Sequence, residues 1–205
     1  TLRQLEGMNK RTLQVVMGIV LGVMVALIAT FRNVLPGFQP PETASPRAAL
    51  LLPDPFPAPP LDLRDTGGRA WSLASLKGAV VAVFFGYTNC PDVCPITLGR
   101  LGRLQDQNVL EGPPLEVVFV SLDPARDTPE RLEDFVAALP GSVVAVTGEV
   151  EDVRAQAGGF GVMTMERRDP ALPAGEYLVD HTARTFIVDP AGRMVATLPP
   201  MAAPD

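Results

Sequence analysis

The sequence predicts an α/β fold, a central mixed β-sheet flanked by helices, preceded by an N-terminal transmembrane helix. Three observations carry this prediction. Strand-like and helix-like segments alternate from residue 61 to residue 157, two apolar runs have the length of fully buried strands, and an uncharged 19-residue stretch lies near the N-terminus. Composition agrees: of 205 residues, 47% are hydrophobic and 20% charged, as in a globular chain carrying one extra apolar segment.

The apolar stretch is Leu13–Phe31, LQVVMGIVLGVMVALIATF. At about 1.5 Å per helical residue it nearly crosses a hydrocarbon core of about 30 Å. Lys10 and Arg11 precede it and Arg32 follows, so the basic excess predicts residues 1–12 in the cytoplasm and the remainder outside. This run exceeds the apolar core of a cleaved signal peptide, and no Ala-x-Ala site follows it. The expectation is therefore a single-pass protein of the cytoplasmic (inner) membrane, its C-terminal domain on the extracytoplasmic side. Residues 1–32 carry a net charge of +3, whereas residues 33–205 hold 13 basic and 22 acidic residues, a net −9. An acidic exported part argues against nucleic acid as a partner, because phosphates demand a basic face.

Residues 32–60 read as a proline-rich linker. Nine prolines fall within 36–60, a density incompatible with regular helix or central strand; Leu50, Leu51 and Leu52 interrupt it as a candidate docking point. The domain is expected over 61–205. It opens with LDLRDTGGRAWSL, which alternates on both sides of Gly67-Gly68 and predicts a hairpin. VVAVFFG (80–86) is a strand buried on both faces, followed from Pro95 by a helix with Leu98, Leu101 and Leu104 on one side, weakened by Gly99 and Gly102. VVFVSLD (117–123) is a second buried strand. Thr128, Pro129 and Glu130 then supply an N-cap, a first-turn proline and an acid at the positive helix end, and Leu132, Phe135, Val136 and Leu139 continue at helical spacing. VVAV (143–146) is a third strand, 149–157 a short helix, and 183–198 a hairpin turned by Asp189-Pro190-Ala191-Gly192. The order βαβαβα followed by a ββ hairpin is that of a thioredoxin-like fold.

Both cysteines lie in GYTNCPDVCP, where the first buried strand passes into a helix. A helix N-terminus stabilises a thiolate, and Cys94 is expected to gain most. The three-residue spacer brings Cys90 and Cys94 to one mouth, close enough to share a metal or to form a redox-active disulfide. A purely structural disulfide is a poor explanation, because closing so short a loop scarcely restricts the unfolded chain. His181 is the only histidine, and in this fold the loop it occupies passes the cysteines. Two thiolates and one imidazole are a soft, low-coordinate set suited to Cu(I), and to Cu(II) with an added ligand; zinc usually takes four ligands. Met163 and Met165 alternate on a short strand, which favours packing or exposure over ligation.

FFGYTNCPDVCP, VSLDPARDTP and DHTARTFIVDPAGR, in this order and across about residues 60–198, resemble the SCO/SenC family of membrane-anchored, thioredoxin-like copper factors for cytochrome c oxidase assembly. The resemblance implies copper, Cu(I) and/or Cu(II), on Cys90, Cys94 and His181, and a loop near the site containing Asp123, Pro124 and Asp127. It also implies a metallochaperone delivering copper to the CuA site, with cytochrome c oxidase subunit II or another copper chaperone as partner. The loop residues equally fit a plain strand-to-helix turn. Two other activities suit the cysteine pair: a thiol–disulfide oxidoreductase that reduces the cysteines of the target copper site, and a thioredoxin-like peroxidase. The family's domain continues into a final helix where this chain stops at MAAPD, and the chain starts at Thr1, so truncation at both ends is expected.

Overall fold

The computed structural model describes residues 14, 17–24, 26–27, 50–108, 110, 112–168, 170, 172–173 and 176–200. The chain divides into two compact units, Thr1–Ser45 and Pro46–Asp205. In the first, the described residues are helical and exposed. Much of the predicted span Leu13–Phe31 lies outside the described residues, and among those described no helix is long and apolar enough to cross a membrane.

The second unit contains an eight-stranded sheet. Its strands are β1 (Leu50–Pro57), β2 (Asp62–Asp65), β3 (Ala70–Ser72), β4 (Val80–Gly86), β5 (Leu115–Ser121), β6 (Val143–Thr147), β9 (Thr185–Val188) and β10 (Arg193–Leu198), while β7 (Thr164–Arg167) and β8 (Leu178–His181) form a separate two-stranded sheet. The large sheet runs β1-β10-β9-β4-β5-β6-β2-β3. Strands β4, β5 and β6 are mutually parallel, as the expected βαβ connections require, and the β9–β10 hairpin joins β4 antiparallel. Three helices, α1 (Val93–Asp106), α2 (Pro129–Ala137) and α3 (Val150–Gly159), complete the α/β architecture.

Alternation along β4 divides the core. Val81, Val83 and Phe85 join Val118, Val120 and Val146 with Val153 and Ala157 of α3. On the opposite face, Ala82 and Phe84 meet Val117 and Phe119, capped by Leu98 and Leu101 of α1 and Leu132 of α2. Each of the buried valine, leucine and phenylalanine side chains contributes about 1.5–3 kcal/mol relative to exposure. The carboxyl ends of β4 and β5 therefore sit on a rigid frame, and the loops leaving them carry the cysteines and Asp127.

Two expectations are corrected. The linker assigned to 32–60 ends in a strand: β1 pairs antiparallel with β10, Leu50 opposite Thr197 and Pro57 opposite Arg193. The prolines are tolerated because β1 is an edge strand, and Pro53 and Pro55 lie where its register shifts between Leu51 and Phe56. Of the leucine triplet, Leu52 packs against the core, whereas Leu50 and Leu51 are exposed. His181 is also not in a loop but closes β8, opposite Thr164 of β7. Met165, on this same small sheet, and Met163, just before it, are 64% and 78% exposed.

Candidate functional site

The chain turns sharply after β4, with the Cys90 N–H donating to the Tyr87 carbonyl (3.2 Å). The Asp92 carboxylate then caps α1 by accepting from the Val93 N–H (2.5 Å). Capping by Asp92 starts the helix two residues earlier than Pro95, and proline fits there because first-turn N–H groups have no helical partner. Cys94 thereby enters the first turn, and its N–H donates to the Cys90 sulfur (3.4 Å). The two thiols are free.

Their environments differ, and in the reverse sense to the sequence expectation. Cys94 is completely buried. A Cβ on Gly86 would lie 2.7 Å from its sulfur, so the absence of a side chain at the end of β4 makes room for it. Cys90 is half-buried. The hydrogen bond from Cys94 lowers its thiol most; burial opposes this, and the backbone N–H groups of Cys94 and Asp92 and the charge of His181 add to it, bringing the pKa from 9.0 to about 6. The same hydrogen bond, with burial and the Cys90 charge, drives the Cys94 thiol upward. Cys90 is thus the thiolate and Cys94 its proton donor.

Alkylation tests this asymmetry. In the reduced protein, iodoacetamide should modify Cys90 with a rate that rises to half its plateau near pH 6, while Cys94 stays protected until the protein unfolds; a single midpoint near that of an ordinary thiol would refute it. A lowered folded-state pKa also fixes the sign for stability. The contribution of the Cys90 thiolate is complete above 9.0 and disappears as pH falls through about 6.

His181 is half-buried, and its Nδ1 lies 2.9 Å from the Val179 carbonyl. A carbonyl only accepts, so Nδ1 carries a proton, and in the neutral form of the ring the Nε2 lone pair is left free. Nε2 is enclosed without a partner among the described residues. Such an imidazole, oriented by a backbone carbonyl with its second nitrogen unused, has the form of a ligand awaiting an electrophile. The Tyr87 ring meets it edge-on at 6.0 Å. The structure thus brings Cys90 and Cys94 into contact and His181 within electrostatic reach of Cys90. Among the described residues, however, no three His, Cys, Asp or Glu side chains converge closely enough to enclose a metal.

The loop after β5 is both a turn and a brace. The Arg126 and Asp127 N–H groups return to the Asp123 carbonyl (3.1 and 2.9 Å). Asp127, wholly buried, accepts from the Thr88 N–H (3.1 Å), the Thr88 hydroxyl (2.6 Å) and the Ser121 hydroxyl (2.6 Å), and burial raises its pKa. Arg131 of α2 donates to the Thr88 hydroxyl (2.8 Å) and to Asn89. Pro124 is half-buried in the turn. Sequence reasoning missed Gly86, Thr88, Arg126 and Tyr177, although the first three lie within the motifs already singled out.

The sequence profile of the SCO1/SenC family matches residues 55–205. Mitochondrial protein SCO2 of Saccharomyces cerevisiae is 33% identical over 143 residues, covering 68% of this chain and 46% of its own length. The chain thus spans about half of that relative. A protein described as a putative copper-binding protein of Stutzerimonas stutzeri is 34% identical over 150 residues, 71% of this chain and 70% of its own. The crystal structure of copper-bound ScoI from Arabidopsis thaliana superposes with a TM-score of 0.64 at 27% identity, over 70% of this chain and 88% of that one.

Proposed function

The chain belongs to the SCO1/SenC family, and from that premise we propose that it is a membrane-anchored copper carrier that delivers the metal to the CuA site of cytochrome c oxidase during assembly. The observation that carries the reading is the donor set: a Cys90 thiolate touching Cys94, with an imidazole in electrostatic reach of Cys90 whose enclosed Nε2 has no partner among the described residues. Two sulfurs and one nitrogen match the preference of Cu(I) for soft, few ligands. The copper-bound plant relative supports copper as the cargo. Residues 13–31 would hold the protein in the cytoplasmic membrane with the domain outside it. Because the three donors stand together only loosely, copper would be gathered by a small closure and released by ligand exchange to thiols or imidazoles of oxidase subunit II or of a second chaperone.

The unequal thiols favour a second activity at the same place. The Cys90 thiolate attacks a target disulfide, forming a mixed disulfide and releasing one target thiolate; Cys94 then loses its proton and attacks Cys90, releasing the second. The target gains two electrons and the pair becomes a disulfide. Copper and disulfide states exclude each other, so the oxidation state of the pair would gate metal loading.

Anaerobic Cu(I) titration of the reduced full chain in detergent tests the carrier reading. One copper per chain is expected, with weaker binding and an altered Cu(II) spectrum in His181→Ala. A wild-type protein that takes up no copper, or a His181→Ala variant indistinguishable from it, would refute the three-ligand site.

A further inference from the structure

His181 is the least anchored of the three candidate ligands. Its strand β8 has four residues and pairs only with β7, outside the main sheet, and an isolated two-stranded ribbon is marginal in water. Contacts other than the β-ladder must hold it. Val179 is buried in the core, the Thr182 N–H donates to the Met163 carbonyl (3.2 Å), and a set of polar contacts converges on Tyr177, the residue immediately before β8. Its hydroxyl donates to Asp123 (2.6 Å), and its carbonyl accepts from the Arg126 guanidinium (2.9 Å). Its ring lies 3.4 Å from that guanidinium's central carbon. The Arg126 Nε in turn donates to the second Asp123 oxygen (2.5 Å). Asp123, Arg126 and Tyr177 thus form a closed ring of contacts, with the Arg126 and Asp123 side chains only 17% and 3% exposed.

We propose that Arg126 and Tyr177 are positioning residues that fix His181 relative to the cysteine pair. The loop 123–127 reaches both arms of the site: Asp127 holds Thr88, two residues before Cys90, and Arg126 with Asp123 holds Tyr177, four residues before His181. A second path runs through Tyr87, whose ring lies 6.0 Å from the Arg126 guanidinium and 6.0 Å from the His181 ring. Only arginine suits the role. Its planar fork serves Asp123 and the Tyr177 carbonyl at once while its face stacks on the ring, a combination lysine lacks. The motif VSLDPARDTP thereby gains a purpose beyond turning the chain into α2.

The inference rests on the copper reading for its purpose, but its geometry can be tested without metal. Because the chain has one histidine, the imidazole proton resonances of the copper-free full chain report on His181 alone. Arg126→Lys and Tyr177→Phe should shift or broaden them. Both should weaken copper binding by about 10- to 100-fold, as loss of a ligand's supporting partner does, and move the Cu(II) spectrum toward that of His181→Ala. In the double variant Arg126→Lys/His181→Ala the loss should not exceed that of His181→Ala alone. Unchanged imidazole signals in both single variants, or simple addition of the two losses, would overturn the proposal. If the wild type binds no copper, the carrier reading fails and the imidazole signals alone decide the clamp.

Discussion

Cys90→Ser is expected to abolish stoichiometric Cu(I) uptake, a larger loss than the roughly 10- to 100-fold that removing a supporting residue causes. The reason lies in protonation as much as in softness. Cys90 alone is poised as a thiolate at neutral pH, with its pKa near 6. A serine hydroxyl is a harder donor that stays protonated, so the variant must present a buried Cys94 thiol whose own ionisation is opposed by burial. Wild-type copper binding should accordingly release close to one proton near neutral pH, the one held by Cys94, and the release should rise as pH falls through about 6 and Cys90 becomes protonated. Titration calorimetry in two buffers of different ionisation enthalpy measures this. A Cys90→Ser protein that still binds one Cu(I) as tightly as wild type would remove the basis of the proposed site, and circular dichroism would confirm that the variant remains folded.

The sheet was readable because its central strands advertise themselves. VVAVFFG occupies β4 residue for residue, since a strand covered on both faces needs an unbroken apolar run. Thr128 caps α2 as expected, accepting from the Arg131 N–H (3.3 Å), because capping depends on neighbours three residues apart. The failures share a different cause. Nothing local in LLLPDPFP reveals that β10 offers a free edge to it. Nothing local assigns the thiolate to Cys90 either, since the assignment depends on Cys94 being sealed against Gly86 while Cys90 collects N–H donors. His181 is a candidate through the fold and the family resemblance, since a lone histidine by itself says little. The ring of contacts around Tyr177 depends on residues some 50 positions apart, and the Nδ1 contact to the Val179 carbonyl, though only two residues away, forms only once β8 has been placed.

Gly102 shows the same division between local and tertiary reasoning with opposite signs for neighbouring substitutions. Within a helix, Gly→Ala is favourable by about 0.5–1 kcal/mol, and by that rule both Gly99→Ala and Gly102→Ala should strengthen α1. At Gly99 the added carbon would meet nothing nearer than 3.9 Å, so the gain should be realised in full. At Gly102 it would stand 1.9 Å from the Pro140 carbonyl oxygen and 2.7 Å from its carbon, backbone atoms of the turn that leads into β6. That turn cannot readily yield, because Gly141 (φ +78°) has its own Cβ direction aimed 2.7 Å from the Gly102 Cα. Relief therefore requires α1 to back away from the turn, loosening Leu98 and Leu101 in the core and displacing Cys94 at the helix start. Overpacking of this kind costs about 1–3 kcal/mol or more, enough to outweigh the helical gain. Urea denaturation should show Gly99→Ala stabilised and Gly102→Ala destabilised, the latter with weakened copper binding as well. If both variants shift stability in the same direction, the close approach of α1 to Pro140 is not what requires glycine there.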